Sequence, residues 1–81
     1  MEIEEFIKQL SMIVRSHRKL SGLSQLQLAE FAGVGKTVIF DIEHCKASVQ
    51  LNSILKVLKV LNIKLDIISP RRENYAKSQS L

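Results

Sequence analysis

The chain has 81 residues, of which 46% are hydrophobic and 25% charged, and a formal net charge of +4. This length admits one domain with a modest core and excludes the cleft between two domains in which many enzymes work, while the composition excludes a chain disordered throughout. Without Glu2, Glu4 and Glu5, twelve basic residues face five acidic ones, so the body is basic and suits a polyanion, either nucleic acid or an anionic membrane.

From Ile3 onward, Ile3, Phe6, Ile7, Leu10, Ile13, Val14 and Leu20 recur mostly at three- and four-residue steps and predict an amphipathic first helix. It ends around Ser21-Gly22, because glycine takes the left-handed conformation of a helix C-terminus without a Cβ penalty. Ser24 to Gln27 has capping-box spacing, which starts a second helix of about two turns through Leu26, Leu28, Ala29 and Phe31 to Gly33. A third helix spans roughly Lys36 to His44, with Ile39 and Ile42 facing the core and Lys36, Thr37, Phe40, Asp41 and His44 pointing elsewhere.

After a connection over Cys45 to Gln50, the stripe Leu51, Ile54, Leu55, Leu58 and Leu61 predicts a fourth helix ended by Asn62. Val57 and Val60 lie off this stripe and suggest a second packed surface. Ile63 to Ile67 alternates with period two and reads as a strand stopped at Ser69-Pro70. A lone strand has no ladder of its own, so either two copies pair as an antiparallel ribbon across a homodimer or the segment packs on its own domain. The dimer reading places Val57, Val60, Ile63, Leu65 and Ile67 at the interface. Residues 70–81 are polar, lack periodicity and are expected to form a flexible tail.

A capped short helix, a turn with Gly33 and a short helix with a non-apolar outer face form a helix-turn-helix, whose second helix fits the major groove of B-DNA. The residues Gly22-Leu-Ser-Gln-Leu-Gln-Leu-Ala29, Ala32-Gly33-Val34, Ile39 and Ile42-Glu43 resemble the Cro/C1-type family of DNA-binding regulators. Leu51 to Leu61, followed by Asn62-Ile63 and a strand, is most similar to its HipB-type antitoxin branch.

The resemblance implies an all-α fold: a compact helix-turn-helix domain of four to five short helices with a C-terminal β-strand that pairs across a homodimer. In this organisation residues 1–12 begin the first helix, 13–69 form the domain with its motif at about 24–44 and its strand at 63–68, and 70–81 are the tail. The resemblance further implies a repressor of its own operon, bound as a homodimer to a palindromic double-stranded operator, and an antitoxin partnered by a HipA-like kinase. The alternative is a protein-interaction module that neutralises such a toxin, with DNA binding secondary.

Residue by residue, the resemblance places the N-cap Ser24 and Gln25 at the DNA, with Gln25 a phosphate contact, and makes Lys36 and Thr37 the base readers and Lys46 a further phosphate contact. Phe40 would pack on a thymine methyl, and Asp41 would either accept from cytosine N4 or turn away from DNA. Arg18 and Glu43 match a partly buried structural ion pair. Gly35 replaces the usual Ser or Thr cap and lets the backbone approach a phosphate, and His44-Cys45 replaces the usual Asn-Gly turn.

Ala32 to Thr37 imitates the end of a P-loop, but position 30 is Glu where a glycine is required. His17, His44 and the single Cys45 have no companions at ligand spacing, so no metal or other cofactor is expected, and no catalytic set is legible. The chain has no apolar run long enough to span a bilayer and an acidic start unlike a signal peptide; Lys56 and Lys59 are too few for a membrane-binding polybasic face. The expected location is the bacterial cytoplasm, associated with the nucleoid.

Overall fold

The computed structural model describes residues 2–67. Within them the chain forms α1 (Ile3–Leu20), α2 (Gln25–Ala32), α3 (Val38–Glu43) and α4 (Leu51–Val60), and no strand. Each helix has a local start or stop signal. Ser24 caps α2 reciprocally: its hydroxyl accepts from the Gln27 N–H at 3.0 Å, and its own N–H donates to Gln27 Oε1 at 2.8 Å.

All four helices end in the same way, on a residue with left-handed backbone: Gly22, Gly33, Cys45 and Asn62. After each of these, the next N–H reaches back to a carbonyl of the last turn. Leu23 donates to Arg18, Val34 to Ala29, Lys46 to Asp41 and Ile63 to Leu58, at 2.9 to 3.2 Å. These bonds satisfy carbonyls that a helix end would otherwise leave open.

The helices enclose one core of Val14, Leu28, Ala29, Ile39, Ile42, Val57, Leu58 and Leu61. α1 packs on α3, and α2 packs on both α3 and α4. Leu28 and Ile39 are fully buried at the centre of the motif, each contributing on the order of 1.5–3 kcal/mol by burial. They fix the angle between α2 and α3.

Two expectations about the C-terminal part need correction. Val57, expected at a dimer surface, is completely buried, whereas Leu51 and Leu55, expected in the core, are exposed. The apolar residues of α4 compose two overlapping stripes, and contact with α2 selects Ile54, Val57, Leu58 and Leu61 as the inner one. Residues 63–67 take no regular secondary structure in the single chain. Ile63 is half-buried against the core, while Leu65 and Ile67 are exposed. The expected tail over 70–81 and the end of the 13–69 domain lie outside the described residues.

Candidate nucleic-acid interface

The motif is anchored from behind by Glu43, the last residue of α3. Its carboxylate accepts two hydrogen bonds from Arg18 of α1, from Nε at 2.6 Å and from Nη2 at 3.0 Å. It accepts a third from Gln25 Nε2 at 3.3 Å. The remaining guanidinium group, Nη1, donates to the Leu23 carbonyl at 2.9 Å, so Arg18 also ties down the connection into α2.

Both charges are shielded, with 11% of the Arg18 side chain and 3% of the Glu43 side chain exposed. Burial alone would push the Glu43 carboxyl up. The hydrogen bonds from Arg18 and Gln25, aided by the positive charges of Arg18 and Arg15, outweigh it and hold the carboxyl below its ordinary value. The Glu43 hydrogen bond likewise raises Arg18, against the effect of burial.

A second anchor comes from Ser11, a buried polar residue that sequence reasoning did not single out. Its hydroxyl donates to the Glu43 main-chain carbonyl at 2.6 Å. Only its place between Leu10 and Val14, on the inner face of α1, could have signalled this role. The side chain and the carbonyl of Glu43 are therefore both held by α1.

With its end fixed, α3 offers its start to the solvent. Lys36 and Thr37 occupy the turn just before it, and both are exposed. Thr37 adjoins the first residue of α3 but makes no side-chain cap, so its hydroxyl is not committed to the helix. Gly35 is also exposed, and a Cβ built there would meet only Val38 at 3.8 Å. Phe40, one turn on from Lys36, is half exposed and stacks on His44, with ring centroids 3.8 Å apart and planes at 20°. The Nδ1–H tautomer of His44 can donate to the Phe40 carbonyl, 2.8 Å away, which holds the two rings together.

Three candidate contacts have other engagements. Ser24 is the N-cap of α2, and the Gln25 amide gives one of its two hydrogens to Glu43, which leaves the other for a phosphate. Asp41 faces the connection to α4 instead of sharing the outer side with Phe40; it lines a depression with Val38, Lys46, Val49 and Gln50. Its carboxylate lies 3.7 Å from Lys46 Nζ, so Lys46 neutralises the acid while remaining largely exposed.

Among the described residues no group of three or more His, Cys, Asp or Glu side chains is placed to hold a metal ion, and no helix is long and apolar enough to cross a membrane. The arrangement consists of a braced short helix presenting a cation, a hydroxyl and an aromatic ring from its N-terminal end. Such a surface can donate to base edges and phosphates and can pack on thymine methyl groups.

Comparison with known proteins agrees with this geometry. A family profile described as helix-turn-helix matches residues 14–68. The chain is 39% identical over 61 residues to the uncharacterised HTH-type transcriptional regulator y4mF of Sinorhizobium fredii, covering 75% of this chain and 80% of that protein. It is 33% identical over 72 residues to the control protein C.SmaI of Serratia marcescens, covering 89% and 82% respectively. With its capped α2, its turn at Gly33 and its exposed start of α3 all inside the matched span, the chain belongs to the helix-turn-helix family of DNA-binding transcriptional regulators.

Proposed function

We propose that the protein is a sequence-specific repressor that binds a palindromic operator as a homodimer, with Lys36, Thr37 and Phe40 reading the bases. The observation that carries this reading is the contrast along α3: a start exposed to solvent and an end locked to α1 through Glu43. A reading helix needs both, since side chains that discriminate base pairs must be held in a fixed pose. The dimer is supported by the exposed apolar residues Leu51, Leu55, Leu65 and Ile67. Two-fold symmetry would set the half-sites roughly 34 Å apart, one helical turn of DNA.

Titration of the protein against the DNA upstream of its own coding sequence, at two salt concentrations, tests the proposal. Expected are selective binding over random duplex, a steep loss of affinity with salt, and loss of selectivity in Lys36→Ala/Thr37→Ala with the helical circular dichroism unchanged. Each lost base contact is worth on the order of 1–3 kcal/mol. Equal affinity for upstream and random DNA sinks the repressor reading.

The finer assignment to HipB-type antitoxins rests on the resemblance over Leu51 to Ile63 and on the exposed apolar residues of the same region, which a HipA-like kinase would cover. Co-expression with the product of an adjacent kinase-like gene tests it. A stable complex supports the antitoxin role, and the absence of one removes it without touching the DNA-binding proposal.

A further inference from the structure

Between α2 and α4 runs a groove of about 500 Å³ lined by Phe31, Ala32, Lys56, Lys59 and Val60. Phe31 is 68% exposed although it is the largest side chain there. The groove avoids Lys36, Thr37 and Phe40. It combines apolar walls with two cations, which suits an occupant that is both apolar and acidic.

The first two turns of α1 have that chemistry. This part of the helix precedes the span matched by the family profile, and with its N-cap Glu2 it carries exposed Glu5 and Phe6, with Ile3 78% exposed. Spacing strengthens the match. Glu2, the extended N-cap residue, precedes Glu5 and Phe6 by three and four positions, which brings two acids and one apolar residue to the start of α1. Lys56, Lys59 and Val60 repeat that spacing on α4 with the opposite charge.

The charges alone have an ordinary explanation, because acids suit a helix start and Lys59 suits the last turn of α4. That explanation leaves Phe6, Phe31 and Val60 without a reason to be exposed. Within one chain α1 packs on α3, while the groove belongs to α2 and α4.

We propose that the acidic start of α1, the N-cap Glu2 with Glu5 and Phe6, docks in the Lys56/Lys59 groove of a second copy of the chain. Reciprocal docking closes a dimer with two such contacts, and one-way docking extends a chain of copies. This contact adjoins the apolar surface of Leu55 and Leu65, with Lys59 at the border of both, and it does not depend on DNA.

The test is sedimentation velocity of the full chain across a concentration series at low and high salt, with helicity checked for every variant. Wild type is expected to self-associate in a salt-sensitive way. Either Lys56→Glu/Lys59→Glu or Glu2→Lys/Glu5→Lys should weaken association about tenfold. The chain carrying all four reversals should recover it, because the charges are exchanged and not removed.

Recovery in the fourfold variant establishes the docking. Three results overturn it: association unmoved by either reversal, both reversals weakening it without recovery in combination, or a wild type that does not associate. The second of these would assign the groove to a different occupant.

Discussion

Replacing Arg18 by alanine should be among the most damaging single changes in this protein, and its effect should depend on pH with a sign opposite to that of the wild type. The substitution removes two hydrogen bonds to the Glu43 carboxylate and one to the Leu23 carbonyl. It strands a carboxylate whose side chain is only 3% exposed. An uncompensated buried charge costs about 3–5 kcal/mol, against a total stability of about 4–12 kcal/mol for a domain of this size. The Gln25 hydrogen bond and the charge of Arg15 remain and place the expected loss towards the lower figure.

In the wild type the carboxyl is held below its unfolded value, so its contribution is present above the ordinary carboxylate range and is lost as pH falls through the folded value. In Arg18→Ala, burial, the largest influence on this group, is opposed only by the Gln25 hydrogen bond and the charge of Arg15, and it raises the folded value instead. The variant's deficit should then shrink as pH falls from 7 towards 5. Urea unfolding followed by far-UV circular dichroism suits a chain with no tryptophan. A loss below about 1 kcal/mol at pH 7, the range of an exposed pair, or a deficit that does not change with pH, would refute the account of Glu43 as a buried, charge-compensated anchor.

Other consequences follow from the same geometry. Arg18→Met/Glu43→Leu should recover most of the stability lost in Arg18→Ala, because apolar replacement of a whole buried pair is often neutral; a double variant no better than the single one would count against this. Ser11→Ala leaves the Glu43 carbonyl without its donor and should cost about 1–2 kcal/mol, seen as a lower urea midpoint; an unchanged midpoint would mean that the bond adds nothing net. Cys45→Gly relieves a non-glycine residue at φ 60° on an exposed site. Relief of about 1–2 kcal/mol is partly offset by the freedom of glycine in the unfolded chain, and the melting temperature should rise by about 4 °C; a fall would show that the cysteine side chain makes a compensating contact.

Where the sequence was most legible, the signal was local. The end of α1 at Ser21-Gly22 and the capping box of Ser24 and Gln27 each depend on a few adjacent residues, and the structure has both. Ile39 and Ile42 could be placed in the core because their three-residue step marks one face of α3, with Phe40 outside it. α4 has too many: Leu51, Ile54, Leu55, Val57, Leu58, Val60 and Leu61 support more than one stripe, and only packing on α2 decides among them.

At the candidate interface, the exposure of Lys36, Thr37 and Phe40 follows from the position of Ile39 and Ile42. The turning aside of Asp41 does not, since it depends on Lys46 returning past the end of the helix. The attachment of Gln25 to Glu43 and that of Ser11 to the Glu43 carbonyl join residues 18 and 32 positions apart. Separations of that order carry no periodic signal.

The shared left-handed stop of the four helices bears on how the molecule is assembled. Each stop is completed by hydrogen bonds spanning only a few residues, so the length and exit direction of each rod are favoured locally. Helices as short as α2, α3 and α4 are marginal alone, so the stops bias where each one ends and packing makes it persist, while helix–coil steps take about a microsecond or less. The stop at Cys45 is the least comfortable of the four and immediately follows the reading helix. The timing of that helix during folding should therefore be the most sensitive to a single residue outside it.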